Sequence, residues 1–149
     1  MKVKQLLSTI FKKKQNNIIS FGQGFALTEL PVISLYQGET PFNFLLDTGS
    51  NDSIIDSNVL DKIKHEMSDK ETKLFGMEGN RQTVKKCNII VSHNGVDFPY
   101  EYLVCDMKEA FGNIKAETGV TLHGIIGSKF FNTYKYVLDF ESLVAYSKK

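Results

Sequence analysis

The stretch FNFLLDTGSNDSII, residues 42–55, constrains this chain more than any other. Phe42, Phe44, Leu45 and Leu46 make a strand aimed at a core, yet the run ends on Asp47, Thr48, Gly49 and Ser50 before two isoleucines resume. A carboxylate buried alone is strongly unfavourable, so Asp47 needs hydrogen bonds, solvent or a charge-sharing partner. The local solution is an Asx turn, in which Asp47 accepts from backbone amides two residues on and Gly49 supplies a bend that side chains disfavour. A calcium loop or a phosphoaspartate site would want a second acidic or amide residue where Gly49 stands. An Asp-x-Gly phosphate loop matches locally, but the folds that use one need two large α/β domains.

The chain has no room for two such domains. Its 149 residues make one folding unit able to bury a single core. Hydrophobic residues are 42% and charged residues 23%, and the 18 basic and 17 acidic side chains nearly cancel. That balance gives no footprint for nucleic acid. No apolar run approaches the roughly 20 residues of a membrane-spanning helix. The opening MKVKQLLSTIFKKK carries five lysines and no acid, and its apolar part is too short for a secretory signal. It is expected to be a solvated basic extension over residues 1–24, ahead of a domain over 25–149. Cys87 and Cys105 are too few for a disulfide scaffold and are expected to be half-buried thiols in a reducing, cytoplasmic setting.

Along the chain the pattern is mostly β. FALTELPVISLY is expected to form one or two strands broken near Pro31, with Gly22 in an isolated glycine turn. DSNVLDKIK is expected to make a short helix capped by Asp56 or Ser57. Residues 73–104 alternate strand and turn; a two-residue Asn94-Gly95 turn would set Cys87 opposite Tyr102 and Cys105 opposite Val84, whereas a five-residue loop would place the cysteines across from each other, and no disulfide is expected. KEAFGNIKAET is expected to be helical with an interruption at Gly112, TLHGIIG a buried strand, SKFFNTYKY a helix capped by Ser128, and YVLDFESLVAYS a closing hairpin. Asp139 is expected to cap that hairpin's turn, while Phe130, Phe131, Tyr134 and Tyr136 fill the core or an interface. His65, His93 and His123 share no ligand spacing, so no metal site is expected, and no cofactor. The sum is a closed or sandwiched sheet with one or two short helices.

One chemistry uses every residue of the Asp47 turn. Two carboxylates a few ångströms apart share one proton, so that one acts as base toward a water and the other as acid toward a carbonyl oxygen. Phe44, Leu45 and Leu46 would anchor the strand, Gly49 would bring its amide to the carboxylate, Thr48 would brace the loop, and Ser50 would offer a further donor favouring the ionised form.

LLDTGSNDSII resembles the active-site stretch of the retropepsin-like aspartic proteases. KLFGMEGNRQ resembles their glycine-rich flap, with Gly76 and Gly79 at its tip and Met77 and Glu78 between them. HGIIGSKFF resembles the strand Ile125-Ile126-Gly127 that crosses beside the catalytic loop, and the closing YVLDFESLVAYS is similar to that of bacterial members. Together these cover roughly residues 26–147. The resemblance implies a closed acid-protease barrel that cleaves a peptide or protein substrate. Since only one Asp-Thr-Gly occurs, it also implies a C2 homodimer with Asp47, Thr48 and Gly49 of each copy at the axis. Asn51 and Asp52 would then meet substrate backbone, and Thr48 would bond across to the other loop. The alternative is a catalytically silent dimeric module that binds peptide or supports assembly on the same fold. A third reading is a precursor whose N-terminal segment, up to about Gly24, is removed or displaced before activity.

Overall fold

The computed structural model describes residues 18–75 and 81–147. In chain order these form β1 (Ile18–Ser20), α1 (Gly22–Thr28), β2 (Val32–Gln37), β3 (Thr40–Leu46), β4 (Ile54–Asp56), a 3-10 turn (Ser57–Val59) and β5 (Glu66–Phe75). β6 (Arg81–His93), β7 (Val96–Cys105), α2 (Lys108–Thr118), β8 (Gly124–Ile126), α3 (Ser128–Tyr134), β9 (Tyr136–Asp139) and β10 (Val144–Ser147) follow. The large sheet runs β2-β3-β8-β4-β7-β6-β5, and a further pairing of β2 with β6 closes all but β5 into a barrel. β1, β10 and β9 make a separate small sheet. The mostly β closed architecture matches the expectation from sequence.

The core fills the barrel. Phe42, Phe44 and Leu46 alternate inward along β3 and meet Ile33, Leu35, Ile55, Ile89, Val91, Tyr102 and Ile126. The expected aromatic cluster is present: Phe130 lies 4.8 Å from Tyr134 and 5.1 Å from Tyr100, ring centre to ring centre, while Phe98 stands 6.0 Å from Tyr136. Asn94 and Gly95, both at positive φ, form the two-residue turn, and Cys87 faces Tyr102. Both cysteines are free. Burial, with a smaller contribution from Glu101, pushes the Cys87 thiol up to about 11, so it is unreactive at neutral pH. Asp139 Oδ1 accepts from the amides of Glu141 and Ser142, at 2.9 and 3.1 Å, and so closes the β9–β10 turn.

Several local expectations need correction. Three α-helices are present among the described residues, against the one or two expected. Residues 22–28 are helical, not a glycine turn leading into a strand. Two glycines argue against a helix locally, but a Cβ on Gly24 would sit 2.4 Å from the Val32 carbonyl oxygen, so that glycine permits α1 to lie against β2. α2 runs unbroken through Gly112, which faces open space. The expected helix after Asp56 is a single 3-10 turn, capped as anticipated by Asp56 Oδ1 accepting from Asn58 N at 3.2 Å. Residues 18–24, expected within the N-terminal extension, take part in the fold: Ile19 pairs with Ala145 and Phe21 is wholly buried. The rest of the extension lies outside the described residues.

His123 ties β8 to β3. Its Nδ1 accepts from the Asn43 amide at 2.9 Å, and its ring meets Phe42 edge-on. Burial lowers its pKa, and so does nearby Lys62, so the folded protein holds the ring neutral. A depressed histidine pKa stabilises the fold above the unfolded value of about 6.5 and loses that stabilisation as pH falls below it. Denaturant midpoints are therefore expected to drop between pH 7.5 and 5. The slope should be shallower in His123→Gln, with the remainder due in part to His93, whose pKa burial also lowers. Equal slopes in the two proteins would refute this.

Candidate active site

Asp47 stands immediately after β3, where the ladder ends. Its amide donates to Ile126 O at 2.9 Å, which extends the parallel pairing of β3 with β8 by one bond. Its Oδ1 accepts from the Gly49 amide at 2.9 Å, and its own carbonyl accepts from Ser50 N at 3.2 Å. This is the Asx turn expected from the sequence. Asp47 is half-buried, whereas Thr48, Gly49 and Asn51 are exposed. Asp47 is thus neither fully buried nor without a hydrogen-bond donor, and the difficulty of a buried lone charge does not arise within one chain.

The loop is pinned from beneath by the segment that follows β8. Ser128 N donates to Ser50 O at 2.7 Å and Lys129 N to Asn51 O at 3.2 Å. These amides belong to the first turn of α3, whose unpaired donors are satisfied by the Asp47 loop. That corrects the expectation that Ser128 caps the helix. Gly127 occupies the cap position, and no side chain bonds there. Gly127 is also a spacer: a Cβ on it would lie 2.5 Å from Asp52 O and 2.7 Å from Ser50 O. Ile125 and Ile126 are buried on opposite faces, Ile126 in the barrel core and Ile125 in a second cluster.

Ser50 departs from expectation. Its hydroxyl donates to the Asp52 carbonyl at 2.7 Å rather than to Asp47, and so braces the loop instead of the carboxylate. Asp52 pairs with Lys129 at 2.9 Å, a contact exposed to solvent whose main effect is on side-chain placement. The hydrogen bond and charge of Asp52 raise the Lys129 pKa. Gly76, Met77, Glu78 and Gly79 lie outside the described residues, and β5 and β6 pair as far as Phe75 and Arg81. No group of residues able to hold a metal ion is found among the described residues.

Ser53 is a residue that the sequence reading missed. It is 1% exposed, its Oγ accepts from Gly127 N at 3.0 Å, and its carbonyl accepts from Leu103 N. A serine at the start of a strand gives no sign of this, because its partner lies 74 residues away. Ser53→Ala would leave the Gly127 amide unpaired inside the protein, and is expected to destabilise the fold by about 2 kcal/mol. Denaturant unfolding checks this; a change below about 0.5 kcal/mol would refute the role.

A closed six-stranded barrel with an Asx turn on Asp47, locked by Gly127, now has a comparison. A crystal structure of the retroviral protease-like domain of Ddi1 from Leishmania major is similar, with a TM-score of 0.53 at 12% identity, over 80% of this chain and 89% of that one. The fold is retropepsin-like. No family model and no curated protein matches the sequence. Within this retropepsin-like fold two grooves, of about 1210 and 570 Å³, are lined by residues such as Gln37, Ile90 and Tyr100, or Ser34, Asn43 and Thr121. Neither includes the half-buried Asp47.

Proposed function

We propose that this chain is one half of an aspartic endopeptidase, and that two copies meet with their Asp47 loops at a two-fold axis. The observation that carries the reading is the carboxylate itself. It is fixed by the Gly49 amide on a loop locked to the barrel, half-buried beside the exposed Thr48 and Gly49, with no cation within ion-pair distance among the described residues. A carboxylate so held, only half covered and without a counter-ion, suits a site completed by a second surface.

In the pair, one carboxylate is ionised and the other protonated, because like charges so close do not both ionise. A water between them gives a proton to the ionised carboxylate as its oxygen attacks the scissile carbonyl carbon. The protonated carboxyl delivers its proton to the carbonyl oxygen, and the resulting diol collapses as the departing amine takes a proton back. Thr48 bonds across to the other loop, Asn51 and Asp52 hold substrate backbone, and Lys129 keeps Asp52 in place. The resemblance of KLFGMEGNRQ to a flap assigns Gly76, Met77, Glu78 and Gly79 to substrate binding as well. Free thiols at Cys87 and Cys105 are in keeping with a reducing compartment such as the cytoplasm.

Sedimentation over a range of concentrations, together with a diverse peptide pool from mildly acidic to neutral pH, tests this reading. Dimerisation with cleavage is the expected result. A strict monomer would remove the shared-proton mechanism, and a dimer that retains peptides without cutting them would mark a silent binding module instead.

A further inference from the structure

The small sheet of β1, β10 and β9 has two unlike faces. Ile19, Ala145 and Leu138 stand opposite one another in its register and turn toward the barrel core. The neighbouring row is Ile18, Tyr146 and Val137, which alternation puts on the other face. There Ile18 is 41% exposed and Val137 39%, so the outward face of the sheet presents apolar side chains to solvent. The next outward row is Ser20, Val144 and Asp139. It holds the one carboxylate among these outward residues, and that carboxylate already accepts from the amides of Glu141 and Ser142.

β1 is also where residues 1–17 join the barrel. In their sequence Val3, Leu6, Leu7, Ile10 and Phe11 recur at the three- and four-residue spacing that gathers side chains on one side of a helix. Lys4 and Lys13 fall at the two borders of that apolar arc, with Lys2 and Lys12 beyond them and Lys14 at the end of the stretch. No acidic residue precedes Glu29. Without these five lysines the chain has 13 basic against 17 acidic side chains, so positive charge is concentrated in one short segment of an otherwise acidic protein.

Two surfaces offer themselves to such a segment, its own small sheet or an outside partner, and charge decides between them. The sheet would cover the apolar arc but give five lysines no free carboxylate. An anionic lipid surface meets both needs, because the acyl boundary takes the apolar arc while the headgroups take the lysines, whose stems reach up from its borders. Gln15, Asn16 and Asn17 link Lys14 to Ile18, a reach of about 14 Å at full extension. The open face of the small sheet is thereby brought to the same surface.

We propose that residues 1–14 lie as an amphipathic helix in the headgroup region of an anionic membrane, and that the face carrying Ile18, Tyr146 and Val137 rests against it. The barrel is then held at a membrane surface without a span across it. The proposal stands independently of the protease reading.

The test is co-sedimentation of the full chain with vesicles of phosphatidylcholine, alone or with about 30% phosphatidylserine. Binding to the anionic vesicles, released by salt, is the expected result. Replacing Lys12, Lys13 and Lys14 together by Gln is expected to weaken it about 100-fold, at roughly fivefold per lysine. Ile10→Ser combined with Phe11→Ser should abolish it, and Val137→Glu should weaken it about tenfold. Denaturant midpoints separate a folding defect from a binding defect in each variant. Equal binding to both kinds of vesicle, no binding to either, or binding that survives the lysine replacement would overturn the proposal. Bare vesicles together with a lowered midpoint in Ile10→Ser would show instead that the segment packs on its own barrel. Unchanged binding by Val137→Glu would overturn the seating of the sheet face.

Discussion

Asp47→Asn is expected to lower peptide cleavage by about 10³-fold or more, with fold and dimerisation retained. Asparagine keeps the oxygen that accepts from Gly49, so the Asx turn survives. What it removes is the ability to exchange a proton with water. Mixed dimers make the result sharper. If wild-type and variant chains pair at random in equal amounts, only about one dimer in four carries two aspartates, so activity should fall to about a quarter of that of the same total chain as wild type. A mechanism using one carboxylate per chain would leave about half. Activity near one half, or full activity in the pure variant, would dismiss the shared-proton pair.

Gly127→Ala is expected to destabilise the protein by about 3 kcal/mol or more, and to disturb the site before the remainder of the barrel. The added methyl would meet the carbonyl oxygens of Asp52 and Ser50 at 2.5 and 2.7 Å, and both are backbone atoms that cannot swing aside. Relief requires the Asp47 loop to lift, which strains the bonds from Ser128 N to Ser50 O and from Gly127 N to Ser53 Oγ. Denaturant unfolding reads the loss of stability. Hydrogen exchange should show early loss of protection at Ser128 and Lys129 in the variant. Wild-type stability with unchanged protection at these amides would show that the loop has slack which the close contacts deny.

Much of the fold was legible because its signals are local. The alternation through Phe42, Phe44 and Leu46, the positive-φ turn at Asn94-Gly95 and the Asx turn at Asp139 each depend on neighbours within a few residues. The helix at residues 22–28 was not legible, since its glycines oppose it locally and only β2 explains why they are needed. The role of Ser50 was misjudged for a related reason. Its sequence position permits bonds to Asp47 or to Asp52, and the course of the loop under Gly127 selects the second.

By itself the sequence determined that a strand ends on Asp47, that Gly49 can bring its amide to that carboxylate, and that TLHGIIG is a buried strand followed by a helix. These follow from side-chain alternation and from the chemistry of adjacent residues. Only the tertiary structure decided that α3 donates its first amides to the Asp47 loop, that buried Ser53 holds Gly127, and that α2 shields apolar side chains beside the site rather than the core. Ser128 and Ser50, Gly127 and Ser53, and Phe111 and Val32 are each more than 70 residues apart, and pairing across such distances is set by sheet register and packing, which no short stretch of sequence encodes.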